Sequence, residues 1–268
     1  IAADNICGIP SVYGGTQGSS IIKIFDLTAA ATGISEKTAK LMGLDYEKSF
    51  TYSGCHASYY PGSSDIIMKV IFDKTTGKIL GAQVVGQDGA DKRCDVLAMA
   101  IRAGMTAHDL TKLELCYAPP YNSAKDPVNF AGYVIENILN KNVTIHHWHD
   151  VRTLQQEDDV ILLDVSTEEE FLSGHIAGAI NIPLDNLREH LHELDSSKRI
   201  FINCLSGLRS YIACRILMAN GYTCSNLSGG YLVYRTVTGR ITPPPAPCYP
   251  KVQSSSASAQ RGIDKSAQ

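Results

Sequence analysis

Several things are scarce in this sequence, and each scarcity excludes something. Neither sign of charge dominates: 24 Lys+Arg stand against 27 Asp+Glu, a formal net charge of -3. That balance argues against a basic nucleic-acid-binding protein and against an acidic tail. No stretch approaches the roughly 18 consecutive apolar residues that a membrane helix needs, since the run at Ile21 is cut by Lys23 and Asp26. The chain opens on Ile1-Ala2-Ala3-Asp4, with no initiator Met, basic segment or apolar run, so no signal peptide is expected and the chain reads as a piece of something longer. There are 8 cysteines but no CxxC pair, which removes the usual redox and zinc-ribbon spacings and suits a reducing, cytoplasmic setting. No G-x-G-x-x-G occurs anywhere, so no dinucleotide loop is carried. Gly14-Gly15 and Gly18 have no strand leading into them and read as a flexible entry to the first strand.

What is present describes a folded chain. Hydrophobic residues make up 44% and charged residues 19% of 268 residues, ordinary values for a chain that buries a core. At roughly 100 to 200 residues per domain, about two domains are expected. Composition divides the chain into residues 1–140, 141–240 and a tail, 241–268. In the tail, Pro243, Pro244, Pro245 and Pro247 precede Ser254 to Ser258, a composition too polar to offset the entropy of ordering.

The first region predicts an α+β domain with helices covering an antiparallel sheet. Ser20 to Asp26 reads as a strand, and Ile66–Phe72 and Lys78–Val85 flank a Gly-containing loop as a hairpin. Leu97, Ala100, Ile101 and Gly104 at i, i+3, i+4 and i+7 predict a helix ending near Gly104. A second helix is expected from an Asp126 cap and Pro127, with Phe130, Val134 and Ile138 as its buried stripe. The second region alternates as a parallel α/β domain. Strands are expected at Val160–Val165, Lys198–Asn203 and Thr223–Leu227, and helices at Leu184–Leu194 and Ser210–Asn220.

The strongest chemical signal is Cys204-Leu205-Ser206-Gly207-Leu208-Arg209, set between an apolar strand and an apolar-periodic helix. In such a tight loop several backbone N–H groups and a helix N-terminus converge on one concavity and stabilise an anion. A thiol at its first position faces that field, and the helix N-terminus and Arg209 favour the thiolate nucleophile. The bland alternative is a core cysteine at a strand end. The other seven cysteines read as small buried hydrophobes, although Cys214, Cys55 and Cys116 lie near enough to these motifs to be weighed as a second redox thiol. His146-His147-Trp148-His149 has the look of a metal tract, but zinc ligands usually come from separated stretches, so no metal is expected.

Two resemblances follow from these residues. Asp164-Val165, Glu170-Phe171, Gly174-His175-Ile176-Ala177-Gly178-Ala179-Ile180-Asn181-Ile182-Pro183, the Cys204 loop and Gly229-Gly230 resemble a single rhodanese domain. The resemblance implies that Cys204 takes up a sulfane sulfur as a persulfide, held by the N–H groups of Leu205, Ser206, Gly207 and Leu208 and by Arg209, and passes it to a thiol acceptor. Asp164 and His175 would brace the loop. Four residues between Cys204 and Arg209, rather than the five of rhodanese-like phosphatases, favour sulfur over phosphorus. Ser166 stands where many relatives carry Arg.

The first region resembles the dimerisation domain of the pyridine nucleotide-disulfide oxidoreductases, in the branch of coenzyme A-disulfide reductases and NADH oxidases. The residues that carry it are Phe25-Asp26-Leu27, Thr32-Gly33-Ile34, His56-Ala57-Ser58-Tyr59-Tyr60-Pro61-Gly62, Gly81-Ala82-Gln83 and Tyr117-Ala118-Pro119-Pro120-Tyr121. The resemblance implies a homodimer through residues 1–140 in which Tyr117 and Tyr59, with Tyr60 as the alternative to Tyr59, reach the partner's redox centre. Ala118 and Pro119 would lie near the partner's flavin. It further implies that FAD, NAD(P)H and coenzyme A act in the full-length enzyme, on domains upstream of Ile1, and that this fragment alone binds no cofactor. A fusion of such a reductase to a rhodanese is a coenzyme A-disulfide, persulfide or polysulfide reductase. The competing reading is a non-catalytic module, with one region that only dimerises and one that only binds partners.

Overall fold

The structure, a computed structural model, describes residues 1–239; the expected tail and Cys248 lie outside the described residues. A short exposed helix, α1 (Ala2–Ile6), leads by an extended segment into the first unit. Its sheet contains β1 (Ser20–Ile24), β2 (Leu27–Gly33), β3 (Tyr46–Gly54), β4 (Asp65–Asp73) and β5 (Ile79–Gly86), in the order β1-β2-β5-β4-β3 and antiparallel at every pairing. Helix α2 (Glu36–Leu41) links β2 to β3, and α3 (Ala90–Arg102), α4 (Ala107–Thr111) and α5 (Pro127–Leu139) complete the unit. Alternation drives the layering: Ile66, Met68, Val70 and Phe72 of β4 are all buried in the core shared with Leu97 and Ala100 of α3 and Val128, Ala131 and Ile135 of α5. Gly81 is required where β5 passes the end of β2, because a Cβ there would fall 1.9 Å from the Ile34 carbonyl oxygen.

Helix α5 begins as expected. The Asp126 carboxylate accepts from the Val128 N–H at 2.9 Å, and Asn129 returns a bond to the Asp126 N–H at 3.1 Å. Its expected stripe is corrected, however. Phe130, Val134 and Ile138 are only half-buried, and Val128, Ala131 and Ile135 face the core. Phe130 and Val134 turn instead toward the second unit, so the helix has two apolar faces and the periodicity picked the one that meets the neighbouring domain.

A buried cation ties this unit together. Arg93, 1% exposed on the core face of α3, donates to Asp126 at 3.1 Å, to Asn122 Oδ1 at 2.9 Å and to the Cys55 carbonyl at 2.9 Å. Two loops thereby converge on one guanidinium.

The second unit contains β6 (Ile145–His146), α6 (Val151–Leu154), β7 (Val160–Asp164), α7 (Glu168–Ser173), β8 (Ile180–Asn181), β9 (Arg199–Asn203), α8 (Leu208–Ala219), β10 (Cys224–Leu227) and α9 (Gly230–Thr238). The strands are parallel throughout, in the order β6-β10-β9-β7-β8. The expected helix at Leu184–Leu194 is corrected. That stretch is a series of turns ending in one 3₁₀ turn at Leu191–Glu193, with i to i+3 bonds from Leu187 to Leu184, His190 to Leu187 and Leu194 to Leu191. The spacing of three within Leu184/Leu187 and Leu191/Leu194 suits those bonds, and it buries Leu187 and Leu194 without an α-helix.

The units meet where the Phe50 N–H donates to Ser228 Oγ at 3.0 Å and His147 Nε2 lies 2.9 Å from Glu47 Oε1. Between them Phe50, Phe130, Val134, Val143, Tyr211 and Gly229 line a largely apolar cavity of about 160 Å³.

Two stability predictions follow. Asp126→Ala should cost roughly 3 to 5 kcal/mol in urea unfolding, the usual price of stranding one partner of a buried pair, here increased by the lost helix cap. His146 is buried on β6 and burial depresses it to about 3. The unfolded chain therefore takes up a proton as pH falls below about 6.5 while the folded chain does not, so stability present above that pH drains away at up to about 1.4 kcal/mol per pH unit. His146→Gln should flatten the urea-midpoint profile between about pH 6.5 and 4.5 relative to the parent chain.

Candidate functional site

Strand β9 delivers Cys204 to the carboxyl end of the parallel sheet, and α8 opens four residues later behind Gly207, whose φ is 103°. The Cys204 side chain is 0% exposed, and its Sγ accepts from the Gly207 N–H at 3.1 Å and from the Ser210 hydroxyl at 3.4 Å. The loop carbonyls are spoken for on the opposite side. The Tyr231 N–H donates to Cys204 O at 2.9 Å, the Leu232 N–H to Leu205 O at 3.0 Å and Asn226 Nδ2 to Gly207 O at 3.2 Å. Gly230 makes that packing possible: a Cβ there would lie 2.5 Å from Cys204 O and 2.8 Å from Gly207 N. With its carbonyls pulled toward α9 and β10, the loop leaves the N–H groups of Leu205, Ser206, Leu208 and Arg209 without a hydrogen-bond partner among the described residues. Four free donors, a helix N-terminus and a thiol form an anion cradle.

Arg209 sits at this cradle but is not idle. Its two terminal nitrogens bind the Glu170 carboxylate at 2.6 and 2.9 Å. The hydrogen bonds from Glu170 push Arg209 further above its ordinary value, and those from Arg209 hold Glu170 below the usual carboxylate range. Glu170 also caps α7, accepting from the Thr167 N–H at 3.0 Å. Asp164 ends β7 and braces the neighbouring strand end. It accepts from Asn203 Nδ2 at 2.7 Å, one residue before Cys204, and from the Ser166 N–H at 2.9 Å. His175 packs elsewhere: its ring stacks on Phe171 at 3.8 Å and its Nδ1 lies 2.9 Å from the Phe171 carbonyl, so it braces α7 rather than the loop.

The first unit gathers a second constellation. Tyr59 and Tyr117, 58 positions apart, place their hydroxyls 3.5 Å from each other, and they are 75% and 50% exposed. The Tyr117 hydroxyl beside it pushes Tyr59 above its ordinary value. Tyr60 turns to an edge contact with His56 at 5.8 Å instead. The two tyrosine loops are laced together where the Ala57 N–H reaches the carbonyls of Pro119 at 3.3 Å and Asn122 at 3.1 Å. Ala118, half-buried, accepts from the Tyr121 and Asn122 N–H groups, and beneath the loops Arg93 grips Cys55 O and Asn122.

The histidine tract is not gathered. His146 Nδ1 lies 3.0 Å from Ser225 Oγ, His147 turns to Glu47 and His149 stacks on His147 at 5.5 Å; no group of three or more potential ligands occurs among the described residues. Cys214 is a poor second thiol, because its hydrogen bond with Cys224 and its burial push it well above the usual range. The sequence reading passed over the roles of Glu170, Ser210 and Arg93. Glu170 was detectable as the last residue of a Thr167-x-x-Glu170 capping box, and Arg93 as a charge four residues before Leu97 on an apolar helix face. Ser210 carried no comparable signal.

Comparison with known proteins finds matches to both units. Residues 19–127 match the pyridine nucleotide-disulphide oxidoreductase dimerisation domain, and residues 147–236 match the rhodanese-like domain. The coenzyme A disulfide reductase of Staphylococcus epidermidis is 43% identical over 134 residues, covering 50% of this chain and 30% of that protein. The solved structure of reduced Bacillus anthracis CoADR-RHD is 46% identical, covers 89% of this chain and 43% of that one, and superposes with a TM-score of 0.86. The NAD-dependent persulfide reductase from A. fulgidus is 39% identical, with 85% and 41% covered and a TM-score of 0.76. The chain thus spans less than half the length of these relatives. The chain carries a pyridine nucleotide-disulphide oxidoreductase dimerisation domain followed by a rhodanese-like domain, the order also found in the structure it superposes on over 89% of its length.

Proposed function

We propose that this chain is the dimerising and sulfur-relaying part of a flavin-dependent coenzyme A-disulfide, persulfide or polysulfide reductase, with Cys204 as the sulfur carrier. The observation that carries this reading is the Cys204 loop, a buried thiol that accepts from the Gly207 N–H in a loop of which four further N–H groups have no partner among the described residues. In the step this supports, the Cys204 thiolate attacks the outer sulfur of a persulfide R–S–S⁻, the donor's S–S bond breaks, and RS⁻ leaves with the bonding pair. The enzyme then carries Cys204–S–S⁻, with the charge on its terminal sulfur. The N–H groups of Leu205, Ser206, Leu208 and Arg209 are the donors available to that charge, and they need no reorganisation to meet it. A thiolate acceptor reverses the step and takes the sulfur away. Carriage on a tethered cysteine keeps the sulfur at high effective concentration near the reductase site.

The paired tyrosines serve the other half of the reaction. Both phenols stand largely uncovered by their own chain, which fits groups that act on a centre outside it. Reduced flavin, supplied by NAD(P)H, would deliver the two electrons that cleave a disulfide or persulfide. Residues 1–140 would form the homodimer that presents Tyr117 and Tyr59 to the partner, with Ala118 and Pro119 beside its flavin. Their O–H groups can donate to a departing thiolate, holding charge and proton where they are needed. Tyr59 is the chosen partner of Tyr117, since Tyr60 is held against His56.

Three measurements test the reading. Incubated with a small persulfide, the chain should gain the mass of one sulfur atom on the peptide containing Cys204, removable by cyanide, and Cys204→Ser should gain none. A gain elsewhere, or none, overturns the carrier role. Sedimentation should find the chain dimeric at micromolar concentration, and a monomer would refute self-sufficient dimerisation. In the full-length enzyme, Tyr117→Phe should slow turnover of coenzyme A disulfide or persulfide about tenfold or more with flavin content unchanged, the scale of a lost proton donor; unaltered turnover would reduce Tyr117 to packing.

A further inference from the structure

Resting on the reading of Cys204 as the sulfur carrier, we propose that Glu170 is a charge gate that selects the sulfur donor. By occupying the Arg209 fork it favours a donor whose reacting end carries a single charge, an organic persulfide, over the dianion thiosulfate. The guanidinium is the cation the loop itself supplies, and its two terminal nitrogens are both committed to the Glu170 carboxylate. A bidentate fork of this kind fixes the direction as well as the charge of the arginine. The carboxylate cannot swing aside freely, because Oε2 also accepts from the Thr167 N–H at 3.0 Å and the Thr167 hydroxyl at 3.3 Å.

Formal charges on the pair cancel, and the same first turn of α7 adds Glu168 and Glu169, both exposed. Where β7 leaves the sheet beside the loop, Ser166 is neutral and buried and follows the buried Asp164. The cradle therefore receives an incoming anion chiefly through neutral backbone donors beside a charge-balanced Arg209–Glu170 pair. One negative charge is met by those N–H groups; a second meets only an Arg209 that faces Cys204 with its charge already balanced by Glu170. The hydrogen bonds from Arg209 hold Glu170 below the usual carboxylate range, so the gate operates at neutral pH.

The chemistry is balanced for either donor. With thiosulfate, the Cys204 thiolate takes the outer sulfur, the S–S bond breaks and sulfite leaves with the electron pair. With an organic persulfide, a thiolate leaves in its place. Neither route calls for an oxidant or reductant, so the difference between them lies in the charge brought to the cradle.

The test compares the chain with Glu170→Gln, using the dianion thiosulfate and the monoanionic persulfide of 2-mercaptoethanol as donors and cyanide as acceptor. Glutamine occupies the same volume and still completes the α7 capping box, so the change removes charge and keeps the local fold. The ratio of kcat/KM for thiosulfate to that for the persulfide should rise about five- to tenfold in the variant, a size suited to a partly exposed charge. Structural damage would lower both rates together and leave the ratio alone, and an unmoved ratio overturns the gate. A second measurement needs no variant: raising ionic strength should increase kcat/KM of the parent chain for thiosulfate more than for the persulfide, because salt screens the repulsion. A fall specific to thiosulfate overturns the gate equally. Failure of Cys204 to label with either donor would sink the carrier reading itself, and the gate with it.

Discussion

The chemistry of the second unit depends on one close approach, that of the Cys204 loop to the backbone of Gly229 and Gly230. The carbonyls of Cys204 and Leu205 accept from the first turn of α9, and Gly230 lies so near that any side chain would collide with Cys204 O and Gly207 N. A peptide unit that turns its carbonyl one way must turn its N–H the other. Anchoring the carbonyls on α9 and β10 is thus what leaves a set of unpaired donors around the thiol. The anion site is a by-product of where the loop's acceptors are satisfied, by two N–H groups of α9 and the Asn226 side-chain amide.

A similar economy operates in the first unit. Two exposed phenols cannot hold each other in place across 58 positions, and their geometry is borrowed from the core. Arg93, buried beneath both loops, donates to Cys55 O before the Tyr59 loop and to Asn122 after the Tyr117 loop, while Asp126 neutralises it and caps α5. A buried charge of this kind contributes little net stability, but it is intolerant of any other arrangement of its partners. That intolerance defines the loop positions, and α5, which starts at the same aspartate, carries its second apolar face to the interdomain cavity. The tyrosine loops and the domain joint are therefore set by the same helix.

The relation between the units bears on sulfur transfer. Phe50 on β3 bonds to Ser228, the residue before the Gly229-Gly230 pair, and the Glu47–His147 contact closes the same joint. Ser206, Gly207 and Leu208 of the Cys204 loop also line the cavity. The Cys204 loop is thus seated against the unit with the dimerisation-domain fold, which suits the proposed reading, in which sulfur is accepted on one domain and reduced at a site the other helps to form.

Local sequence by itself determined the elements whose signals are periodic or covalent in origin. The β4–β5 hairpin, the capped start of α5, the alternation of strands and helices after residue 150 and the Cys204-to-Arg209 loop were all legible, because each depends on residues within a few positions of one another. The family resemblance added the tyrosines. Where a spacing serves two structures, the sequence misled: leucines three apart suit 3₁₀ turns as well as a helix, and α5 has apolar residues on two faces of which periodicity shows only a stripe. Only the tertiary structure decided that Tyr59 rather than Tyr60 meets Tyr117, that Arg93 is buried beneath both loops, and that Glu170 captures Arg209 across 39 positions. Those pairings bring together residues distant in the chain, and what selects among them is burial and charge for Arg93 and Glu170 and the lacing of two loops for the tyrosines, features that exist only once the chain has folded.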